Sequence, residues 1–361
     1  MKRVPRVLLL CGGRSAEHDV SLASARAVLS AAADLDVTPL VIGPEGLLLS
    51  AAASRAAMKP KVIAGPMVAP APGPGNAPAS RAPDPAGPLA LETASLASLP
   101  GGFDVVFPLL HGPYGEDGRV QGLLDVMGLP YVGSGVLGSA LGMDKVAMKA
   151  MFASHGLPQV AYEAVTRHEW RTAPGATSER LARLGYPLFV KPANLGSSIG
   201  INKASGPAEL GAALAAALGH DRRAIVEAAA VGARELEVAV LGNDSPEASL
   251  VGEIRYDDGF YDYATKYTDG LAELVIPAEL PPPVAEACAS MALRAFRAID
   301  ARGLARVDFF YLPETGELLL NEINTMPGFT LHSMYPKLWE AAGVGFGELV
   351  RKLVDLALER D

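Results

Sequence analysis

Short apolar runs separated by polar, glycine-punctuated breaks set the element order of this chain. Residues 7–11, Val-Leu-Leu-Leu-Cys, are continuously apolar, as a strand buried on both faces of a parallel sheet would be. Gly12-Gly13-Arg14-Ser15 supplies the turn after it, a helix is predicted over 21–33 and a second strand over 37–42. This βαβ start predicts an α/β domain. A strand follows over 103–110 and a helix over 120–127. The next helix spans 143–155, with strands at 187–192 and 224–227 around an Ala-rich helix over 207–218. Strands at 236–241, 250–255, 305–311 and 318–323, with helices at 283–298 and 346–358, make the remainder α+β. Between 65 and 88 Pro, Ala and Gly crowd the chain; such composition buries little apolar surface and reads as a surface insertion.

The last two strands carry the clearest chemistry. Arg306-Val307-Asp308-Phe309 alternates polar and apolar, Leu318 to Asn324 forms a second strand, and the segment between them is rich in turn formers. With the turn centred on Thr315, paired residue numbers sum to 630, which sets Asp308 opposite Glu322 and Arg306 opposite Asn324. All four then share one face, while Val307, Phe309 and Ile323 face the other way. A bulge would alter this by one residue. Asp308, Glu322 and Asn324 offer hard oxygen ligands, the set Mg²⁺ takes when phosphates complete its shell. Arg306 beside them can face a developing oxyanion.

Composition narrows the partners. The chain has 361 residues, enough for two or three domains, and half of it is apolar. A formal net charge of -9 argues against a general nucleic-acid binder, so any bound anion needs locally concentrated lysines. Two cysteines, Cys11 and Cys288, build neither a disulfide framework nor a thiolate metal site. No apolar run approaches a membrane span, and the N-terminal one is too short for a signal peptide; a reducing cytoplasm is expected.

Other segments add pieces. Lys191-Pro192 leads into Asn194-Leu195-Gly196-Ser197-Ser198, a strand-end lysine and small-residue loop that can cover phosphates without Walker spacing. Glu17 follows the first strand, where a carboxylate can take a substrate ammonium or simply favour a helix N-terminus. His111-Gly112-Pro113-Tyr114-Gly115-Glu116 follows another strand end, and His111 there supports a supporting role. The aromatic, charged stretch holding Lys266-Tyr267 suits a loop that closes over a ligand; an exposed tyrosine patch fits it equally.

In this order, from Gly12 to Ser333, these segments resemble the D-alanine–D-alanine ligase family of the ATP-grasp superfamily. The pieces are Gly12-Gly13-Arg14-Ser15-Ala16-Glu17-His18, the His111 loop, Met143-Asp144-Lys145, Lys191-Pro192 with Gly196-Ser197-Ser198, Lys266-Tyr267, and Asn321-Glu322-Ile323-Asn324-Thr325-Met326-Pro327-Gly328. The resemblance implies an ATP-grasp fold behind an N-terminal βαβ (pre-ATP-grasp) domain, divided as 1–143, 144–228 and 229–361. It implies ATP-dependent joining of two D-alanines through an acylphosphate, for peptidoglycan precursors and so cell-wall biogenesis. By resemblance Lys145, Lys191 and Lys266 contact ATP, and Glu227 and Glu235 take its adenine and ribose. Asp308, Glu322 and Asn324 hold two Mg²⁺ ions, with Mn²⁺ an alternative. Glu17 binds the first D-alanine's ammonium, in a network with Ser197 and Tyr267. His111, Ser333 and the backbone at Gly328 belong to the substrate subsites, Ser333 and Gly328 holding the second carboxylate. Arg306 steadies the tetrahedral oxyanion. A homodimer is implied as well. Ala228-Ala229-Ala230 after Glu227 departs from the lysine and larger groups many relatives place there. Rival readings are a D-alanine–D-lactate ligase and a catalytically silent ATP-grasp regulator; the latter predicts a lost metal ligand or lost Arg306, and all are present.

Overall fold

The computed structural model describes residues 3–59, 102–256 and 272–359. The expected insertion at 65–88 and the residues Lys266 and Tyr267 lie outside the described residues.

Three sheets organise the chain. The first is parallel, ordered β2-β1-β3, from β1 (Arg6–Gly12), β2 (Asp36–Ile42) and β3 (Val105–Leu109). Leu8, Leu9, Leu10 and Cys11 of the central strand are buried on both faces, which is why the run lacks alternation. Pro39 and Pro108 sit on the two flanking strands, where a missing N–H costs no ladder bond on the outer side. Helix α1 (His18–Ala31) begins three residues before the expected Ser21. Ser21 cannot serve as its cap, because its hydroxyl accepts from Gly12 N at 2.7 Å and donates to the Leu109 carbonyl, fastening β1 to β3. The Cys11 thiol is fully buried and burial pushes it up to about 12, as an inert core thiol requires.

Helices α2 (Ala51–Ala57), α3 (Arg119–Val126), α4 (Val136–Met143) and α5 (Lys145–Ser154) follow. Asp144 caps α5 by accepting from Ala147 N at 3.0 Å, so this helix starts just after the aspartate. The second sheet is antiparallel, ordered β4-β7-β5-β6: β4 (Tyr162–Thr166), β5 (Leu188–Pro192), β6 (Asn202–Ala204) and β7 (Arg223–Ala228). Helices α6 (Arg167–Thr172), α7 (Pro174–Ala182) and α8 (Pro207–His220) accompany it. Leu210, Ala213, Leu214 and Ala217 of α8 fall at helical spacing and close over Leu188, Val190, Ala224 and Val226.

The third sheet, β10-β9-β8-β11-β12, is also antiparallel. Its strands are β8 (Arg234–Gly242), β9 (Glu247–Tyr256), β10 (Ala272–Val275), β11 (Gly303–Leu312) and β12 (Glu317–Asn324). One face carries Leu236, Val238, Val240, Val307 and Phe309 against α9 (Pro282–Ala298), which presents Cys288, Met291, Ala292, Ala295 and Phe296. The opposite face carries the polar site at one end and packs Ala239, Leu241 and Leu304 into another core at the other. Helix α10 (Met334–Ala341) lies on that same face, its Tyr335 hydroxyl donating to the Val240 carbonyl at 3.0 Å. Helix α11 (Phe346–Leu358) brings Leu349, Leu353 and Val354 into one core with Val7, Leu9 and Phe107 of the first sheet and Val28 of α1. Emptying one such position, Leu353→Ala, should cost about 2–5 kcal/mol.

Candidate active site

Strand alternation delivers the four hairpin side chains as the sequence predicts, through a slightly different register. Arg306 pairs with Asn324 and Asp308 with Glu322, but Phe309 pairs with Leu320 and Leu312 with Glu317. The turn is therefore centred between Glu314 and Thr315, and the expected sum holds only at the site end. A bulge at Asn321 inserts the extra residue between the two registers and shifts the pairing back by one. Asn324 donates its amide to Asp308 Oδ2 at 3.0 Å, and Arg306 grips the same carboxylate with both arms at 2.7 Å. Arg306 also lies 3.0 Å from Glu237, a buried carboxylate paired with Asp308 across β8. Glu322 lies 3.6 Å from Lys145 Nζ, which donates to the Leu195 carbonyl at 2.8 Å.

At another end of the cleft, β5 and β7 place Phe189 opposite Glu227, so Lys191, two residues on, is the diagonal neighbour of Glu227 on the same face. Its ammonium is 2.6 Å from Glu227 Oε2. Lys149, one turn beyond Lys145 on α5, closes on Glu227 Oε1 at 3.2 Å. Burial favours the neutral form of Glu227, but the two lysines outweigh it and hold the carboxyl at about 2. Burial likewise pulls the Lys191 ammonium down, while Glu227 and Glu322 more than offset it and keep it above the usual lysine value. Glu235, at the start of β8, accepts from the Tyr256 hydroxyl at 2.7 Å.

Glu17 sits at the α1 N-terminus without capping it. It is only 6% exposed and instead accepts from the Ser197 hydroxyl. A Cβ on Gly112, whose φ is +74°, would fall 2.4 Å from Glu17 Oε2, so that loop reaches the carboxylate only as glycine, and Gly196 approaches it closely from the other side. Ser197 and Ser198 both adopt left-handed backbone, at φ 50° and 59°. Such conformations cost about 1 kcal/mol or more each and persist where surroundings impose them. His111 has one ring nitrogen 3.1 Å from the Met326 carbonyl and the other 3.2 Å from the Ser24 hydroxyl. With both nitrogens engaged and burial holding it below the ordinary histidine value, the ring is a neutral brace between β3 and the segment after β12. Ser333 does not cap α10; its hydroxyl accepts from Thr330 N at 3.0 Å, leaving the helix N-terminus open.

Glu17, His111, Lys145, Lys191, Ser197, Glu227, Glu235, Arg306, Asp308, Glu322, Asn324, Gly328 and Ser333 all line one cleft of about 960 Å³. Residues 6–134 match the model of the D-ala D-ala ligase N-terminus, and residues 151–355 match that of the D-ala D-ala ligase C-terminus. The chain belongs to the D-ala D-ala ligase family. It is 55% identical to a D-alanine–D-alanine ligase of Deinococcus radiodurans, over 99% of both chains. The structure of a D-alanine-D-alanine ligase from Coxiella burnetii superposes with a TM-score of 0.76 at 31% identity, covering 99% of this chain and 96% of that one. The VanG D-Ala:D-Ser ligase of Enterococcus faecalis gives 0.78 at 31% identity, over 98% and 100%.

Ligases of this family are ATP-dependent and generally need a divalent metal, and the residues present fit both. Glu227 lines the cleft, a carboxylate able to accept from an amino group such as that of adenine. At the hairpin, two carboxylates and an amide stand together with Arg306 and Lys145 against them, cations lying where a metal's charge would serve. Two ligase-cleft residues escaped the sequence reading. Glu237 had a signal, since Glu235 and Glu237 share a strand face. Glu116 stood in the His111 loop but was given no role: its carboxyl accepts from Gly112 N at 2.8 Å, and burial beside Glu17 pushes it up to about 8. Lys149, behind Glu227, was missed as well.

Proposed function

We propose that the protein joins two D-alanines into D-alanyl-D-alanine at the expense of ATP, through an acylphosphate. The observation that carries this reading is the single cleft in which Glu17 faces the Arg306 hairpin and the Lys145–Lys191 pair. A carboxylate is a poor electrophile. The carboxylate of the first D-alanine, its ammonium on Glu17, attacks the γ-phosphorus, and ADP leaves. Lys145 and Lys191 take the phosphates; Glu227 and Glu235 take adenine and ribose. Two Mg²⁺ ions on Asp308, Glu322 and Asn324 would neutralise charge on the transferring group.

The second D-alanine is held by its carboxylate at Ser333, the Gly328 backbone and the open N-terminus of α10. Its deprotonated amine attacks the acyl carbon, Arg306 faces the oxyanion that develops, and inorganic phosphate departs. Water must be kept from the acylphosphate, which it would otherwise hydrolyse. The pathway served is cell-wall precursor synthesis in the cytoplasm, by a homodimer. No helix among the described residues is long and apolar enough to cross a membrane.

The test is ADP release with D-alanine alone, then with D-serine, D-lactate or L-alanine added as second substrate. D-alanine alone should give one ADP per D,D-dipeptide. Turnover that appears only with D-lactate or D-serine would overturn the substrate assignment.

A further inference from the structure

Lys149 has no part in the chemistry above, yet it is one of the largest fully buried side chains, 1% exposed. It does not line the cleft, so it cannot meet a ligand directly. Its ammonium lies 3.2 Å from Glu227 Oε1 and 5.6 Å from the centre of the Tyr162 ring. The 3.2 Å contact pairs Lys149 with Oε1, an oxygen withdrawn from solvent, and so neutralises the carboxylate from behind the cleft. Lys191, by contrast, does line the cleft, and its 2.6 Å bond to Glu227 Oε2 occupies the ammonium that the ATP reading assigns to phosphate.

Both demands cannot be met by one lysine without consequence. Should Lys191 turn to a phosphate with no other cation beside Glu227, a buried carboxylate would be stranded, a costly state. Two lysines on one glutamate remove that obstacle. We propose that Lys149 is a positioning residue, the resident counter-ion of Glu227, whose presence releases Lys191 from Glu227 to the phosphates of the bound nucleotide. This inference rests on the ATP-ligase reading. It adds that the Lys149–Glu227–Lys191 triad is a relay in which one cation stays and the other transfers.

Binding of ADP and of adenosine to the full-length protein, measured by calorimetry and competition, separates phosphate recognition from base recognition. In the wild type ADP should bind well ahead of adenosine. Lys149→Met should narrow the ADP-to-adenosine affinity ratio by about tenfold or more, because Lys191 stays on Glu227. Adding Glu227→Gln to Lys149→Met removes the carboxylate that detains Lys191, and the ratio should widen again. A residue that merely packs would lower both ligands together, and the second substitution would not rescue it. An unchanged ratio in Lys149→Met, or no recovery in the double variant, overturns the proposal. If Lys149→Met does not fold, comparison of Glu227→Gln with the double variant decides: equal, wild-type-like ratios support the relay, and a collapsed ratio in the double variant refutes it. A wild type that binds neither ligand would sink the ligase reading and this proposal with it, whereas a failure confined to the variants leaves that reading standing.

Discussion

The two charged ends of the cleft are built on opposite surpluses. Behind the Lys191 strand, two lysines face one glutamate, and Lys149 and Glu227 are withdrawn from water. At the hairpin, Asp308 and Glu322 with Glu237 of neighbouring β8 outnumber Arg306, with Lys145 reaching across from α5, and Asp308 and Glu322 remain half-buried at the cleft wall. The first end needs an anion and the second a cation; a metal–polyphosphate satisfies both together. The difference also concerns rigidity. The lysine end is fixed by burial, whereas on the hairpin Asp308 is held by Arg306 and Asn324, and Glu322 faces Lys145, in contacts that a metal would have to rearrange.

That contrast predicts a ranking of effects. The largest belongs to the hairpin: Glu322→Gln should lower kcat for ADP release by about a thousandfold or more, since it removes charge where a metal must be held. Full activity in this variant would remove the metal assignment. Arg306→Met should follow, with a loss on the order of 10²–10³ in kcat and little change in the KM for ATP. An effect confined to the ATP KM would instead place Arg306 on the nucleotide. Ser333→Ala should raise the KM for the second D-alanine by about tenfold while leaving the first-site KM unchanged. Equal shifts at both subsites would contradict the division of the cleft.

The smallest effect is a pH dependence with two opposite limbs. Glu227, held near 2 against an ordinary 4.5, contributes stability that is present above 4.5 and is lost as pH falls towards 2. Glu116, pushed up to about 8, behaves oppositely: the folded protein binds its proton more tightly, so stability is fullest below 4.5 and falls as pH rises through 8. Thermal melts across pH 3–9 should therefore show Glu116→Gln flattening the alkaline limb only. A flattened acid limb in that variant would mean that Glu116 is not the group responsible.

How far the sequence foretold this site depends on whether the signal was local. Strand alternation placed Arg306, Asp308, Glu322 and Asn324 on one face because period two is a property of the strand itself. A bulge was named as a possibility, but its place at Asn321 was not legible: the four-residue turn between Leu312 and Glu317 sets one register, the site end has another, and no residue type announces where the extra residue sits. The parallel sheet was legible from its uninterrupted apolar run. The short helices α6 and α7 were not, since neither buries a stripe long enough to show periodicity. Lys149 is the instructive miss. On α5 it looks like an ordinary helical lysine, and only the fold brings Glu227, from a distant strand, to meet it.

The most direct test of the two-surplus account is ADP affinity measured with and without Mg²⁺. Hairpin carboxylates should oppose the phosphates until a metal is bound, so Mg²⁺ should tighten ADP, and ADP should tighten Mg²⁺ by the same factor. Glu322→Gln should shrink that coupling. An ADP affinity indifferent to Mg²⁺ in the wild type would contradict the account.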